Sequence, residues 1–266
     1  RTDHKDGLAT YFREFLRQRL MAKRPDKGNY ASWQKQQFYD DSLAWETDPL
    51  YGWCNKHTKK DGSNYNIYTD GLKIYTTIDS RMQKYAEEAM HGHVEGFLQP
   101  MFNREKRNSR TAPFSNALSK EQVNAIIDKS IKQSDRYRTM KNDGYSENEI
   151  KEAFKKPVQM TVFTPHGEVD TIMTPYDSIR YYKSFLRSGF MVIDPHNGNV
   201  KAYVGGLNYT HFQYDMCTAG RRQVGSTIKP FLYSLAMENG WKPCDMVMNT
   251  RHTYKVGDQT WSPDNA

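Results

Sequence analysis

Ser226 stands three residues ahead of Lys229 in the run GRRQVGSTIKPFLYSLAMENG, residues 220–240. A serine hydroxyl is a poor nucleophile until a neighbouring base takes its proton. Three-residue spacing on a helix puts both side chains on one face, one turn apart. The positive end of a helix, together with burial, would lower the lysine pKa toward that of a working base. The free amides of a first turn can receive an oxyanion, and Gly225 lets the chain turn sharply and a substrate come close. The same residues also suit a plain N-cap serine and a surface lysine. A second Ser-x-x-Lys, Ser32-Trp33-Gln34-Lys35, lacks any hairpin–loop–helix setting. Pro230 disfavours helical geometry at Lys229, so a tight or distorted first turn is expected. On these residues alone, cap and nucleophile both stay open.

The elements that must position this pair are partly legible. FMVIDPHNGNVKAYVGG (190–206) holds two apolar strands around Asn197-Gly198, a strong hairpin signal. A loop to Val224 follows, then a helix from Ser226 to Asn239 closed by Gly240. Upstream, residues 7–23 show helical spacing of Leu8, Tyr11, Phe12, Phe15, Leu16 and Leu20. Residues 24–64 read as polar and irregular, anchored by Trp33, Trp45 and Trp53. YNIYTDGLKIYTTIDS (65–80) alternates around Asp70-Gly71 and reads as a hairpin. Asp79 or Ser80 then caps a helix running to Phe97, in which His91 and His93 point to different faces. In the charged stretch that follows, Ser119 with Gln122 and Ser146 with Glu149 spell capping boxes. Residues 159–173 read as a hairpin turning at Pro165-His166-Gly167. Thr174 and Pro175 open a helix that Gly189 should stop.

Composition narrows the classes. The chain has 266 residues, 37% hydrophobic and 13% aromatic, with a formal net charge of +7. Its mean hydropathy is −0.89. A folded, polar-rich protein of one large or two modest domains is expected. Dispersed basic residues suit an acidic polymer or an anionic envelope surface. No finger spacing, RNP-like run or long basic arm points to nucleic acid. Cys54, Cys217 and Cys244 form no metal-binding spacing, and no metal or other cofactor is expected. No stretch approaches eighteen apolar residues.

The run RQVGSTIKPFLYSLAMENG closely resembles the nucleophile segment of class A penicillin-binding proteins, the bifunctional peptidoglycan synthases. GLKIYTTIDSRMQKYAEEAM resembles the strand and helix leading into their transpeptidase region, GFMVIDPHNGNVKAYVGG its first hairpin, and WSPDN (261–265) the Trp-x-Pro-x-Asn segment downstream. These blocks stand in the family's order and cover most of residues 65–266. The resemblance implies an α+β penicilloyl-serine-transferase fold, an antiparallel sheet flanked by helices, incomplete here and preceded by a mixed α/β linker region. It implies Ser226 as nucleophile, Lys229 as its base, and the turn at Gly225 with the Ser226 amide as part of an oxyanion hole. Trp261 and Asn265 either line the cleft or, for Trp261, simply pack. The implied substrates are peptidoglycan stem peptides, a D-Ala-D-Ala donor and an amine acceptor. β-Lactams would acylate the same serine, envelope proteins would be partners, and nucleic acid would not. The implied place is the extracytoplasmic side of the cell membrane, held by an N-terminal span outside this sequence.

The family's later motifs, Ser-x-Asn and Lys-Thr/Ser-Gly, are not in their expected places. Ser146-Glu147-Asn148 precedes Ser226 inside a capping box, and Lys255-Val256-Gly257 lacks the hydroxyl residue. A chain cut at both ends is therefore expected. Residues 1–64 would be a linker after a glycosyltransferase domain, 65–97 a hairpin and helix leading in, 98–188 a charged helical and hairpin insertion, and 189–266 the N-terminal part of the transpeptidase domain. Such a piece would have little turnover alone. Two other readings stand beside it: a hydrolase of the same fold (a D,D-carboxypeptidase or β-lactamase), and a non-catalytic envelope scaffold in which Ser226 only caps.

Overall fold

The computed structural model describes residues 7–263, which divide into two units, one ending at Gly220 and one starting at Arg221. The architecture is α+β, with helices and, among the described residues, three separate two-stranded antiparallel sheets.

The first unit opens with α1 (Thr10–Leu20), which buries Tyr11 and Leu20. The segment read as irregular contains α2 (Lys35–Thr47) and the short α3 (Trp53–Lys56). Helix α2 has no side-chain cap and no buried residue, so neither periodicity nor capping announces it. Contacts from outside hold its middle and its C-terminal end. Arg19 pairs with Asp48, the Tyr30 hydroxyl donates to Asp41 at 2.9 Å, and Lys56 donates to the Trp45 carbonyl at 2.6 Å. Lys56 also lies over the Trp45 ring. Gly52 takes a φ of +74°, donates to the Arg19 carbonyl and sits so close to Trp45 that no side chain fits there. Trp45 and Trp53 are thus anchors as expected, whereas Trp33, 81% exposed, is not.

Residues 65–80 do not form the expected hairpin. The Asp70 carboxylate accepts the Asn66 amide at 2.7 Å and Lys59 at 3.1 Å, which closes a local turn instead of pairing two strands. Past Gly71 the chain runs extended. Leu72, Ile74 and Ile78 line, together with Leu8, Phe12 and Leu16, a groove of about 490 Å³. The alternation in the sequence is real, but its partner is a helix.

Helix α4 (Ser80–Met90) starts where Asp79 accepts the Arg81 and Met82 amides at 2.9 and 3.1 Å. It continues through a π-helical stretch, His91–Leu98, into α5 (Gln99–Lys106), past the expected end at Phe97. His91 bonds Glu95 at 2.8 Å while His93 packs on Phe97, so the two do diverge.

Both capping boxes form: Ser119 with Gln122 opens α6 (Lys120–Gln133) and Ser146 with Glu149 opens α8 (Glu147–Lys155), with α7 (Asp135–Asn142) between. Val123, Ile127, Ile150 and Phe154 are their buried faces. β1 (Val158–Thr164) and β2 (Gly167–Met173) make the expected hairpin, with Val162 opposite Val169. α9 (Pro175–Lys183) is capped by Thr174, which accepts the Asp177 amide at 3.0 Å. It stops six residues before Gly189. Gln99 on α5 donates to the Ser184 carbonyl at 2.9 Å and accepts the Leu186 amide at 2.8 Å, drawing the chain out of the helix. Phe185 then joins a ring cluster with Phe163, Tyr181 and Phe212.

β3 (Phe190–Ile193) and β4 (Val200–Val204) form the second hairpin. Its loop is longer than a two-residue turn. Asp194 donates its amide to the Asn199 carbonyl and accepts the Gly198 amide on its own carbonyl, both at 2.9 Å, with Gly198 at φ +73°. Helix α4 lies against this hairpin, and Ala86, Met90, Ala202 and Val204 make a core joined by Val192 and Leu207. Across that contact the Gln83 amide grips the backbone of β4. It donates to the Tyr203 carbonyl at 2.9 Å and accepts the Tyr203 amide at 2.7 Å, with Gln83 only 1% exposed.

Replacing Gln83 by Leu keeps its volume but leaves both Tyr203 backbone groups buried and unpaired. Each such group costs about 1–3 kcal/mol. We expect Gln83→Leu to lower stability by about 2–4 kcal/mol on that basis, read as a shift in the urea midpoint. An unchanged midpoint would remove this contact from its structural role.

Candidate active site

The first unit ends in a loop organised by one carboxylate. Tyr203 on β4 donates its hydroxyl to Asp215 Oδ2 at 2.6 Å. Asp215 Oδ1 accepts the Cys217 and Thr218 amides at 2.8 and 3.4 Å, and the Asp215 carbonyl accepts the Ala219 and Gly220 amides. The Met216 amide donates to the Gly205 carbonyl at 2.8 Å. A methyl on Gly205 would lie 2.6 Å from Asp215 Oδ1 and 2.8 Å from the Tyr11 ring, so only glycine fits. Burial raises the Tyr203 phenol above its ordinary range, and the hydrogen bond to Asp215 adds to this. Burial, then the Asp215 charge, pushes the Cys217 thiol up to about 11. Neither Asp215 nor Tyr203 stands out in the sequence as a site residue. The available signal was an aspartate followed two and three residues on by amides it could bond, the Asx-turn pattern.

The second unit carries the predicted pair. Gly225 takes φ +52° and opens a 3₁₀ turn, Gly225–Ile228, that runs directly into α10 (Lys229–Glu238). The turn begins with the Thr227 amide on the Val224 carbonyl at 3.2 Å, so the Ser226 amide lies ahead of the ladder. The Lys229 amide bonds the Ser226 carbonyl. A 3₁₀ turn has three residues per turn, so its i and i+3 side chains eclipse. Ser226 and Lys229 are therefore eclipsed along the axis instead of offset around it as in an α-helix. The tight first turn expected from Pro230 is present. Lys229 itself is nevertheless helical, at φ −57° and ψ −43°, and Pro230 sits where its missing N–H costs no bond. Lys229 is exposed, so the expected burial of the base is not found. Neither the Ser226 hydroxyl nor the Lys229 amine has a hydrogen-bond partner among the described residues.

Helix α10 ends in a Schellman motif. The Trp241 amide reaches the Ala236 carbonyl at 3.1 Å and the Gly240 amide reaches that of Met237 at 3.0 Å, with Gly240 at φ +89°. β5 (Tyr254–Val256) and β6 (Gln259–Trp261) then pair around Gly257-Asp258, which places Lys255-Val256-Gly257 in a hairpin. Trp261 lies against Tyr254, ring centroids 5.7 Å apart, and is 59% exposed. Asn265 lies outside the described residues. Gly225, Ser226 and Lys229 are thus brought together in one turn. Ser146, by contrast, accepts the Glu149 amide as a helix cap.

Two family models match the chain. Residues 109–186 match the penicillin-binding protein middle domain, and residues 188–265 match the penicillin-binding protein transpeptidase domain. Most of the charged 98–188 stretch is thus matched as a domain in its own right. Penicillin-binding protein 1A of Rickettsia bellii is 25% identical over 220 residues, which is 77% of this chain and 28% of that protein. Penicillin-binding protein 1A of Vibrio cholerae is 27% identical over 207 residues, covering 65% of this chain and 25% of the relative. Penicillin-binding protein 2D of Bacillus subtilis is 38% identical over 84 residues, 31% of this chain and 12% of the relative. The chain spans about a quarter of the length of the 1A relatives it matches.

A raised thiol pKa means less thiolate at any given pH below it. Alkylation of Cys217 should therefore climb about tenfold per pH unit and level off only above about 11. An ordinary cysteine levels off near its own pKa of about 8.5. Iodoacetamide rates read by mass spectrometry in a Cys54→Ser, Cys244→Ser background test this. Asp215→Asn should move the plateau to lower pH, and a plateau already reached at pH 9 in the parent would contradict the assignment.

Proposed function

The chain belongs to the penicillin-binding proteins, and from that premise we propose that it supplies the acylating serine of a peptidoglycan D,D-transpeptidase of class A type. The observation that carries this is the 3₁₀ turn holding Gly225, Ser226 and Lys229 inside the stretch matched as a transpeptidase domain. Ser226 Oγ attacks the carbonyl carbon of the penultimate D-Ala of a stem peptide while its proton passes to Lys229 Nζ. The bond to the terminal D-Ala nitrogen breaks, and that nitrogen leaves with the proton. The resulting ester is then attacked by an amine on a second stem, which forms the crosslinking amide and restores the Ser226 hydroxyl. The Ser226 amide, ahead of the helical ladder, would donate to the oxyanion. A β-lactam carbonyl would enter the same path and stop at the ester.

On this reading the substrate polymer lies outside the cytoplasmic membrane, and so does the chain. No helix among the described residues is long and apolar enough to cross a membrane. Residues up to 64 are read as a linker, and the 98–188 stretch as a separate module beside the 189–266 transpeptidase segment.

The test is acylation by a fluorescent penicillin, read by intact mass on the full product of the gene encoding this chain. One adduct is expected, absent in Ser226→Ala. Removal of a general base costs about 10²–10⁴-fold, so Lys229→Ala should slow labelling by that order. Label retained in Ser226→Ala would sink the assignment. Gly225→Val forces a β-branched residue to positive φ, at a cost of about 1–2 kcal/mol. Its labelling should fall about tenfold, taking 1.4 kcal/mol per factor of ten.

A further inference from the structure

We propose that the outer edge of β2, from Glu168 to Ile172, docks an extended segment of a partner protein as a third strand, one in which Lys or Arg alternates with β-branched apolar residues. The register of the hairpin sets which backbone groups are on offer. Phe163 of β1 turns its own groups away from β2: its amide donates to the Tyr182 hydroxyl at 3.1 Å, and its carbonyl accepts the Tyr181 hydroxyl at 2.6 Å. Phe163 stands opposite Glu168. The two therefore form a non-hydrogen-bonded pair, and the Glu168 amide and carbonyl point outward on the other side. Alternation gives Asp170 and Ile172 the same orientation, whereas Val169 and Thr171 bond inward to β1. Helix α9 thus closes the β1 edge at Phe163 with two hydroxyls. Among the described residues nothing takes the outward backbone groups of Glu168, Asp170 or Ile172.

Exposed edges are ordinarily blunted by proline, lysine, a bulge or a covering element. β2 holds neither proline nor lysine. Its ladder with β1 runs from end to end without a register shift, unlike that of β3 with β4. Apolar side chains flank the edge on both faces, Val169 on one at 50% exposure and Ile172 on the other at 73%. The charges along it are acidic. The Asp170 carboxylate accepts the Thr161 hydroxyl at 2.6 Å, and Glu168 bonds His211 at 2.9 Å. Neither has a Lys or Arg partner among the described residues. These carboxylates select the occupant. A second copy paired antiparallel along the whole strand would set Asp170 opposite Asp170, and like charges directly opposite destabilise a sheet. A strand with cations at alternate positions meets Glu168 and Asp170 with opposite charge. Its apolar residues then fall on the other face, beside Val169. Backbone bonds supply the attachment and the alternate side chains the selection. This edge is independent of the chemistry at Ser226.

The probe is a fluorescein-labelled peptide, acetyl-KVKVKVK-amide, titrated into the full product of the gene encoding this chain and followed by polarisation. Amide hydrogen exchange, resolved to single residues, is read on β2 in parallel. Saturable binding is expected. In the free protein the amides of Glu168, Asp170 and Ile172 should exchange faster than those of Val169 and Thr171, and the peptide should slow the first three. The same peptide N-methylated at its two central lysines keeps the charge and loses two donors, so it should bind at least about tenfold more weakly. Asp170→Asn should cost about two- to fivefold in affinity, the range of one cross-strand charge pair. Ile172→Pro removes an outward N–H without touching the ladder to β1, and should cost at least about tenfold. If Ile172→Pro does not fold, Asp170→Lys carries the test, with a larger loss than Asp170→Asn. No binding by the parent peptide overturns the proposal. So does equal binding by the N-methylated peptide, or affinity unchanged in Asp170→Lys. Outward amides already protected in the free protein overturn it as well, and sedimentation then tells a second copy from another part of the same chain as the cover.

Discussion

The outer edge of β4 must be satisfied before anything else in the first unit can stand. A two-stranded sheet leaves half its backbone groups unpaired, and here one edge is pressed against a helix where water has no access. A third strand is one solution. This chain uses side chains instead. Gln83 presents its amide as a strand would, one donor and one acceptor to Tyr203, while the Asp79 amide takes the Lys201 carbonyl at 2.9 Å and Thr77 takes that of Val200 at 2.7 Å. The residues just before and inside α4 thus act together as the missing strand. Because the grip fixes register as well as distance, Ala202 and Val204 face Ala86 and Met90, and the Tyr203 ring is turned toward Asp215. Asp215 then shapes the loop that runs to Gly220.

That dependence explains which parts of the structure could be read from the sequence. Caps are local, needing only a side chain and an amide two or three residues away. Asp79, Ser119, Ser146 and Thr174 all mark true helix starts. Hairpins with glycine turns are nearly as local, and β1–β2 and β3–β4 form where expected. What escaped was decided at long range. α9 ends at Lys183 because Gln99, 85 residues away, takes the Ser184 carbonyl. Residues 65–80 alternate as a strand would, yet α1 supplies the apolar partner and Asp70 consumes the turn. α2 is held by Arg19 and Tyr30 from outside, so its own pattern says little.

The candidate site divides the same way. The order Gly225, Ser226, Lys229, Pro230 was visible, and so was the need for a tight turn. The eclipsing of Ser226 with Lys229 was not. It follows from the 3₁₀ geometry, which spacing alone cannot distinguish from an α turn. Phe231, Leu232, Tyr233 and Leu235 are all more than half exposed on α10. A helix apolar on every side is the pattern of one that is buried, so the sequence of α10 is written for an enclosed setting.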